Sequence, residues 1–167
     1  LNHRPNELNP VLGLIMTGFS KLVGSPITGK FIFNQVRQKH RIRKTLGQVY
    51  HDRTAITDEL VDLLYAPSCD AGAQAVFAAI LTAPAGSKPE ELLPDVTCPL
   101  LVLWGESDPW TPIEGAKVFK EMASQKDIKV IPIPNTGHCP HDENPTIVNR
   151  LVLEWLANLD ARSVNID

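Results

Sequence analysis

The chain has 167 residues, 43% of them hydrophobic, enough for one domain with a real core. Its formal net charge of -3 gives no sign of nucleic-acid or polyanion binding, and no apolar run reaches the roughly 18 residues of a membrane span. The cysteines, Cys69, Cys98 and Cys139, are odd in number and form no C-x-x-C pair. They read as thiols in a reducing compartment, with no disulfide framework, metal site or cofactor implied.

Residues 1–94 read as helical. Leu8, Val11, Leu12, Ile15, Phe19 and Leu22 recur every three or four positions and predict one helical stripe over residues 8–23. Ser25-Pro26 starts a second helix, whose apolar face is predicted at Ile27, Phe31, Ile32 and Val36. A basic run follows: Arg37, Lys39, His40, Arg41, Arg43 and Lys44. It reads as a solvated helix end and turn, with cations near a helix C-terminus. The alternative is a peripheral contact with an anionic membrane surface, where each cation adds about 1 kcal/mol. Thr57-Asp58-Glu59 opens the next helix, which Pro67 stops. Asp70 is the expected cap of an alanine-rich helix from Ala71 to Ala83, with Val76, Phe77, Ile80 and Leu81 facing inward and Pro84-Ala85-Gly86 ending it. Ser87 and Glu90 form a capping-box pattern before Leu92 and Leu93.

Residues 95–167 change character. Leu100 to Trp104 is an apolar run too short for a helix and rich in strand formers, and Ile128 to Ile133 is a second. Both read as strands buried on both faces, the pattern of a parallel sheet covered by helices. Between them, Thr111, Pro112 and Glu114 fit a capping box at the start of a helix. Asn144-Pro145 starts the last helix, with Val148, Leu151, Val152, Trp155 and Leu156 facing the sheet and a frayed end after Asn158.

Each strand runs into a loop with a chemically capable residue, Asp108 after the first and His138 after the second. A carboxylate and an imidazole on the loops of successive strands suit a relay: the acid holds the Nδ1 proton and Nε2 acts as general base. That reading places the two side chains about 2.6–3.2 Å apart. Taken singly, each could be a turn residue, Asp108 before Pro109 and His138 after Gly137. Glu106 and Asp142 are the alternative carboxylates, expected to solvate or cap their loops. Cys139 is an alternative nucleophile, but adjacent residues on extended backbone point to opposite sides. His141 is expected to support His138 by hydrogen bonding, since no second ligand stands at a metal-like spacing. Trp110 is a candidate substrate-binding wall or a core residue.

The segments Pro99–Pro112 and Asn135–His141 resemble the last two strands of the α/β-hydrolase superfamily, in which the chain order is nucleophile, acid, histidine. The resemblance implies an α/β fold: the C-terminal part of a parallel-sheet core at residues 95–167, preceded by a helical cap or lid at residues 1–94. Gly137-His-Cys-Pro-His-Asp-Glu143 and Asp108-Pro-Trp110, with Gln48-Val-Tyr50 and the alanine-rich helix near Phe77, are similar to plant and cyanobacterial pheophytinase-like hydrolases. That similarity implies a bulky apolar ester as substrate, such as the phytol ester of chlorophyll-type pigments, and a chloroplast location.

The superfamily's Gly-x-Ser-x-Gly elbow is absent. Gly18-Phe-Ser-Lys-Leu22 begins like it, but Leu22 replaces the second glycine and the context is helical, which argues against Ser20. The chain is therefore expected to be the C-terminal part of a longer ester hydrolase, with Asp108 and His138 as two of three triad members. An aspartate nucleophile, as in epoxide hydrolases and dehalogenases, would use the same histidine. A non-catalytic binding protein on the same fold is the third reading.

Overall fold

The computed structural model describes residues 10–83 and 86–163, excluding the side chains of 10–16 and 163. The chain divides into two compact units, Leu1–Thr45 with Thr57–Lys88 and Leu46–Ile56 with Pro89–Asp167. Residues 46–56, which lie within the helical stretch of the sequence, thus belong with the strand-bearing unit.

The first unit is helical: α1 (Pro10–Gly24), α2 (Pro26–Val36), α3 (Lys39–Val49, shared with the second unit), α4 (Asp58–Tyr65) and α5 (Ala73–Thr82). The predicted stripe positions Leu8, Val11, Leu12 and Ile15 fall outside the described side chains, as do Pro84 and Ala85. Ser25 and Pro26 do start α2, and the Thr57 hydroxyl caps α4 by accepting the Leu60 N–H at 3.1 Å. The buried face of α2 is not the predicted one. Gly29 and Phe33 are buried, whereas Ile27 is 83% exposed and Phe31 is also exposed. The reason is close backbone approach: a side chain at Gly29 would collide with the Val23 carbonyl, so this face, not the larger apolar one, meets α1. Phe33 then stacks against Phe77 of α5, ring centroids 5.4 Å apart.

Helix α5 starts later than expected. Its N-cap is Gly72 at φ 88°, in the left-handed region, and not Asp70. Phe77 and Leu81 are half-buried, but Val76 is exposed and Ile80 is 71% exposed, so only half of the predicted stripe faces inward. Arg37 caps the C-terminus of α2 in the turn that follows it, as expected, while the rest of the basic run lies in a helix, α3. Lys39 pairs with Asp62 at 2.6 Å and Arg43 with Asp58, and Arg37 donates to the Ser68 carbonyl at 3.0 Å.

The second unit carries α6 (Pro89–Leu92), β1 (Leu100–Gly105), α7 (Lys117–Met122), β2 (Ile128–Ile133), α8 (Pro140–Glu143) and α9 (Pro145–Ser163). Among the described residues the sheet has two strands, parallel, in register from Leu100 opposite Ile128 to Gly105 opposite Ile133. Burial on both faces does not hold for β2, where Lys129 and Pro132 are exposed. Trp104 of β1 packs on Phe119 of α7 at 6.5 Å and donates its indole N–H to the Thr111 carbonyl. Helix α9 runs past Asn158 to Ser163, and Arg162 is paired with Asp127 at 2.8 Å. Val148 is buried, but Leu156, predicted to face the sheet, is exposed.

At the C-terminal ends of β1 and β2 the pairing continues into the loops. Glu106 N–H donates to the Ile133 carbonyl and Ser107 N–H to the Thr136 carbonyl, both at 3.0 Å. A side chain at Gly105 would strike the Thr136 and Gly137 carbonyls, so glycine here lets the second loop cross the end of β1. Asn135 turns that loop at φ 52°, a conformation asparagine tolerates better than most residues. Thr136 is fully buried and its hydroxyl donates to the Pro134 carbonyl.

Candidate active site

The two laced loops bring Asp108 and His138 together: Asp108 Oδ2 lies 2.8 Å from His138 Nδ1. Asp108 is held from several sides. Its Oδ1 accepts the N–H groups of Trp110 at 2.8 Å and Thr111 at 2.9 Å, an Asx-type turn. Its Oδ2 also accepts the Thr111 hydroxyl. Burial by itself would raise the carboxyl's pKa, but these bonds and the one from His138 outweigh it and hold Asp108 below the usual carboxylate range.

A carboxylate is an acceptor only, so the hydrogen bond requires the proton on Nδ1, which in the neutral ring leaves Nε2 with its lone pair. Asp108's side chain is 5% exposed and that of His138 36%, so the acid is enclosed while the ring remains open to a reacting group. Trp110 leans on the imidazole with centroids 5.7 Å apart and is itself 52% exposed, an aromatic surface beside that ring and not part of the core.

Other residues named from the sequence lie elsewhere or serve differently. Thr111 does not cap a helix: a short 3₁₀ turn, Ile113–Ala116, precedes α7, and its N-cap is Pro112. The Thr111 hydroxyl donates instead to Asp108 Oδ2, a charge-assisted bond that turns the side chain toward the carboxylate. Glu106 is exposed. Asp142 accepts the Tyr50 hydroxyl. Cys139 is half-buried; burial, with Asp142, Glu143 and Asp108 nearby, pushes its thiol up despite a bond from Tyr50. His141 is exposed and lines an apolar groove with Val148, Val152 and Trp155. The hydrogen-bonding support expected of it comes instead from Glu143, which accepts the N–H of Gly137 at 2.9 Å. Ser20 lies within α1. No group of three or more metal-ligating side chains occurs among the described residues, and none of the described helices is long and apolar enough to cross a membrane.

Thr111, Glu143, Val49 and Tyr50 were not legible as site residues. Val49, Tyr50 and Glu143 stand in the segments that carry the family resemblance, which assigned them no role; Thr111 carried a local signal, a hydroxyl three residues after an aspartate, and that pattern fits a cap equally well.

Residues 8–151 match the alpha/beta hydrolase family. Among characterised proteins, the chain is 28% identical over 137 residues to a chloroplastic pheophytinase of Arabidopsis thaliana, covering 79% of this chain and 28% of that protein. It is 30% identical over 129 residues to a 2-hydroxymuconate semialdehyde hydrolase of Pseudomonas putida, covering 72% and 44%. The chain thus spans less than half the length of these relatives. Among solved structures, a thermophilic esterase from Thermogutta terrifontis aligns with a TM-score of 0.55 and 26% identity over 76% of this chain and 47% of that one. A meta-cleavage product hydrolase from Pseudomonas fluorescens aligns with a TM-score of 0.58 and 23% identity, over 73% and 46%, a likeness of fold.

Proposed function

The chain belongs to the alpha/beta hydrolase family, and on that footing we propose that it supplies the acid and the histidine of a serine-type ester hydrolase. The observation that carries this reading is the 2.8 Å bond between Asp108 Oδ2 and His138 Nδ1 on loops leaving adjacent parallel strands. His138 Nε2 takes the proton of a serine hydroxyl as its oxygen attacks the ester carbonyl, then returns that proton to the departing alkoxide, so the alcohol leaves and an acyl-enzyme remains. Water repeats the sequence in the second half-reaction. Asp108 keeps the imidazole in the useful tautomer and stabilises the imidazolium. The serine comes from sequence outside these 167 residues, because no elbow stands within them.

The substrate of this reading is a bulky apolar ester, with a phytylated pigment as the specific case and the chloroplast as its setting. Supporting it are the similarity to the Arabidopsis pheophytinase and the half-exposed Trp110 beside the imidazole. Contact of the basic run with an anionic membrane surface suits a substrate that partitions into lipid. Lys39 and Arg43 are already paired with acids, which leaves that contact to the rest of the run.

The test is turnover by the full-length protein and its His138→Ala variant on a long-chain p-nitrophenyl ester and on a phytylated pigment. Ester turnover in the parent, lost by several orders of magnitude in the variant, is the expected result. Turnover of an epoxide or haloalkane in place of the esters would move the nucleophile to an aspartate. Binding without turnover of any of them would leave a binding protein. The similarity to the Pseudomonas putida hydrolase gives a second reading, hydrolysis of a semialdehyde of that kind by the same pair, and such a compound belongs in the assay.

A further inference from the structure

We infer that Glu143 is a positioning residue for His138, acting as a carboxylate clamp between the histidine loop and the segment that follows α3. Its Oε1 accepts the Gly137 N–H at 2.9 Å, and its Oε2 accepts the N–H groups of His51 at 2.9 Å and Asp52 at 3.0 Å. Three backbone donors thus converge on one carboxylate, two of them from residues more than ninety positions away in sequence. Gly137 is the residue immediately before the imidazole, so what fixes its peptide fixes the Cα from which His138 projects.

The clamp is not the only stitch along this seam. The His138 N–H donates to the Val49 carbonyl at 2.9 Å, and the Tyr50 hydroxyl donates to Asp142. Tyr50 is buried, and burial followed by the bond to Asp142 pushes its hydroxyl well above the usual phenol range, so it stays a donor. Contact is close enough that a side chain on Gly137 would collide with the Val49 carbonyl, the Glu143 carboxylate and the His51 N–H. Glu143 differs from the other stitches in gathering three backbone N–H groups on one carboxylate. Hydrogen bonds to an ionised acceptor are about twice as strong as neutral ones, and without the carboxylate the Gly137 N–H loses the acceptor it has here. Asp108 fixes the imidazole's rotation from the front, and Glu143 fixes its backbone from behind.

The kinetic consequence rests on the hydrolase reading, while the clamp itself does not. In the wild-type full-length protein, the amides of His51 and Asp52 lie on an exposed turn yet should show slow hydrogen exchange, together with that of Gly137. Exchange of all three at the rate of a free loop would overturn the clamp whatever the protein catalyses. Glu143→Gln keeps the shape but places an amide NH₂ against backbone donors. With the p-nitrophenyl ester it should lower kcat about 10- to 100-fold and leave KM within about twofold, the signature of a misplaced base in an intact binding site. It should also broaden the low-field His138 Nδ1 proton resonance. Should that variant fail to fold, Glu143→Asp, which retains the charge but falls one methylene short of the donors, carries the same test. A raised KM with unchanged kcat, or an unaltered resonance, would overturn the positioning role while leaving the hydrolase reading in place. Absence of turnover in the parent would remove the hydrolase reading and leave exchange and resonance to decide the clamp.

Discussion

The hydroxyl of Thr111 and the Nδ1 of His138 converge on the same carboxylate oxygen, Oδ2 of Asp108, and stand 3.3 Å from each other. An aspartate so held cannot rotate to offer its other oxygen without breaking the bonds that Oδ1 receives from Trp110 and Thr111. The orientation of the imidazole is therefore set by a network of local bonds within residues 108–111 as much as by the single acid–histidine contact.

The plainest consequence is for Asp108→Asn. The amide is close to isosteric, so packing is retained, but an NH₂ facing Nδ1 favours the tautomer with its proton on Nε2, which cannot act as a base. By analogy with the serine-protease case, turnover should fall by about 10⁴ while ester binding, held by apolar contacts, survives. Steady-state kinetics and a binding assay on the purified variant check this, and a loss of binding equal to the loss of turnover would contradict it.

Thr111→Val removes one donor to a buried carboxylate and should cost about 1.5–3 kcal/mol near neutral pH. The pH dependence has a defined sign. The folded carboxyl sits below its ordinary value of 3.8, so the stability it contributes is present above that value and is lost as pH falls through the folded one. The valine variant raises the folded value, so the gap in stability between parent and variant should shrink on acidification below pH 4. Urea unfolding at neutral and acid pH measures it; a gap independent of pH would show that Thr111 stabilises by packing alone.

Cys139 should be a poor nucleophile. Burial and the neighbouring carboxylates disfavour its thiolate, whereas Cys69 and Cys98 are exposed. Mass-spectrometric mapping of iodoacetamide labelling at mildly alkaline pH should find Cys139 modified at least about tenfold more slowly than either. Cys139→Ala should leave ester turnover within about twofold. Preferential labelling of Cys139, with loss of activity, would make the thiol a contender after all.

The 167 residues expressed by themselves should aggregate or remain molten. A two-stranded parallel sheet leaves unpaired N–H and C=O groups along its outer edges, and Ile27, Phe31, Leu63, Val76 and Ile80 present apolar surface to water. Dye binding to exposed apolar surface and a broad thermal transition are the expected observations. A sharp two-state melt of monomer at micromolar concentration would refute this.

What the amino-acid sequence determined by itself was everything encoded within a few residues. The strand at 128–133, the helix starts at Pro26, Thr57 and Pro145, and the order of acid before histidine all follow from local runs, caps and turns, and the structure has them at those positions. The two residues singled out for a relay, Asp108 and His138, are brought to hydrogen-bond distance because each directly follows one of two paired strands, a relation that strand order alone implies. Tertiary structure decided which faces are buried and what holds the site. Gly29 overrode the larger apolar face of α2 because backbone contact with Val23 was available only where a side chain is missing. Thr111 turned to Asp108 because its hydroxyl donates a charge-assisted bond to that buried carboxylate, and it caps no helix. Val49, Tyr50 and Glu143 stand in segments that carry the family resemblance, but their roles are not local: Val49 and Tyr50 bond to residues some ninety positions away, and Glu143 ties nearby Gly137 to His51 and Asp52, more than ninety positions distant.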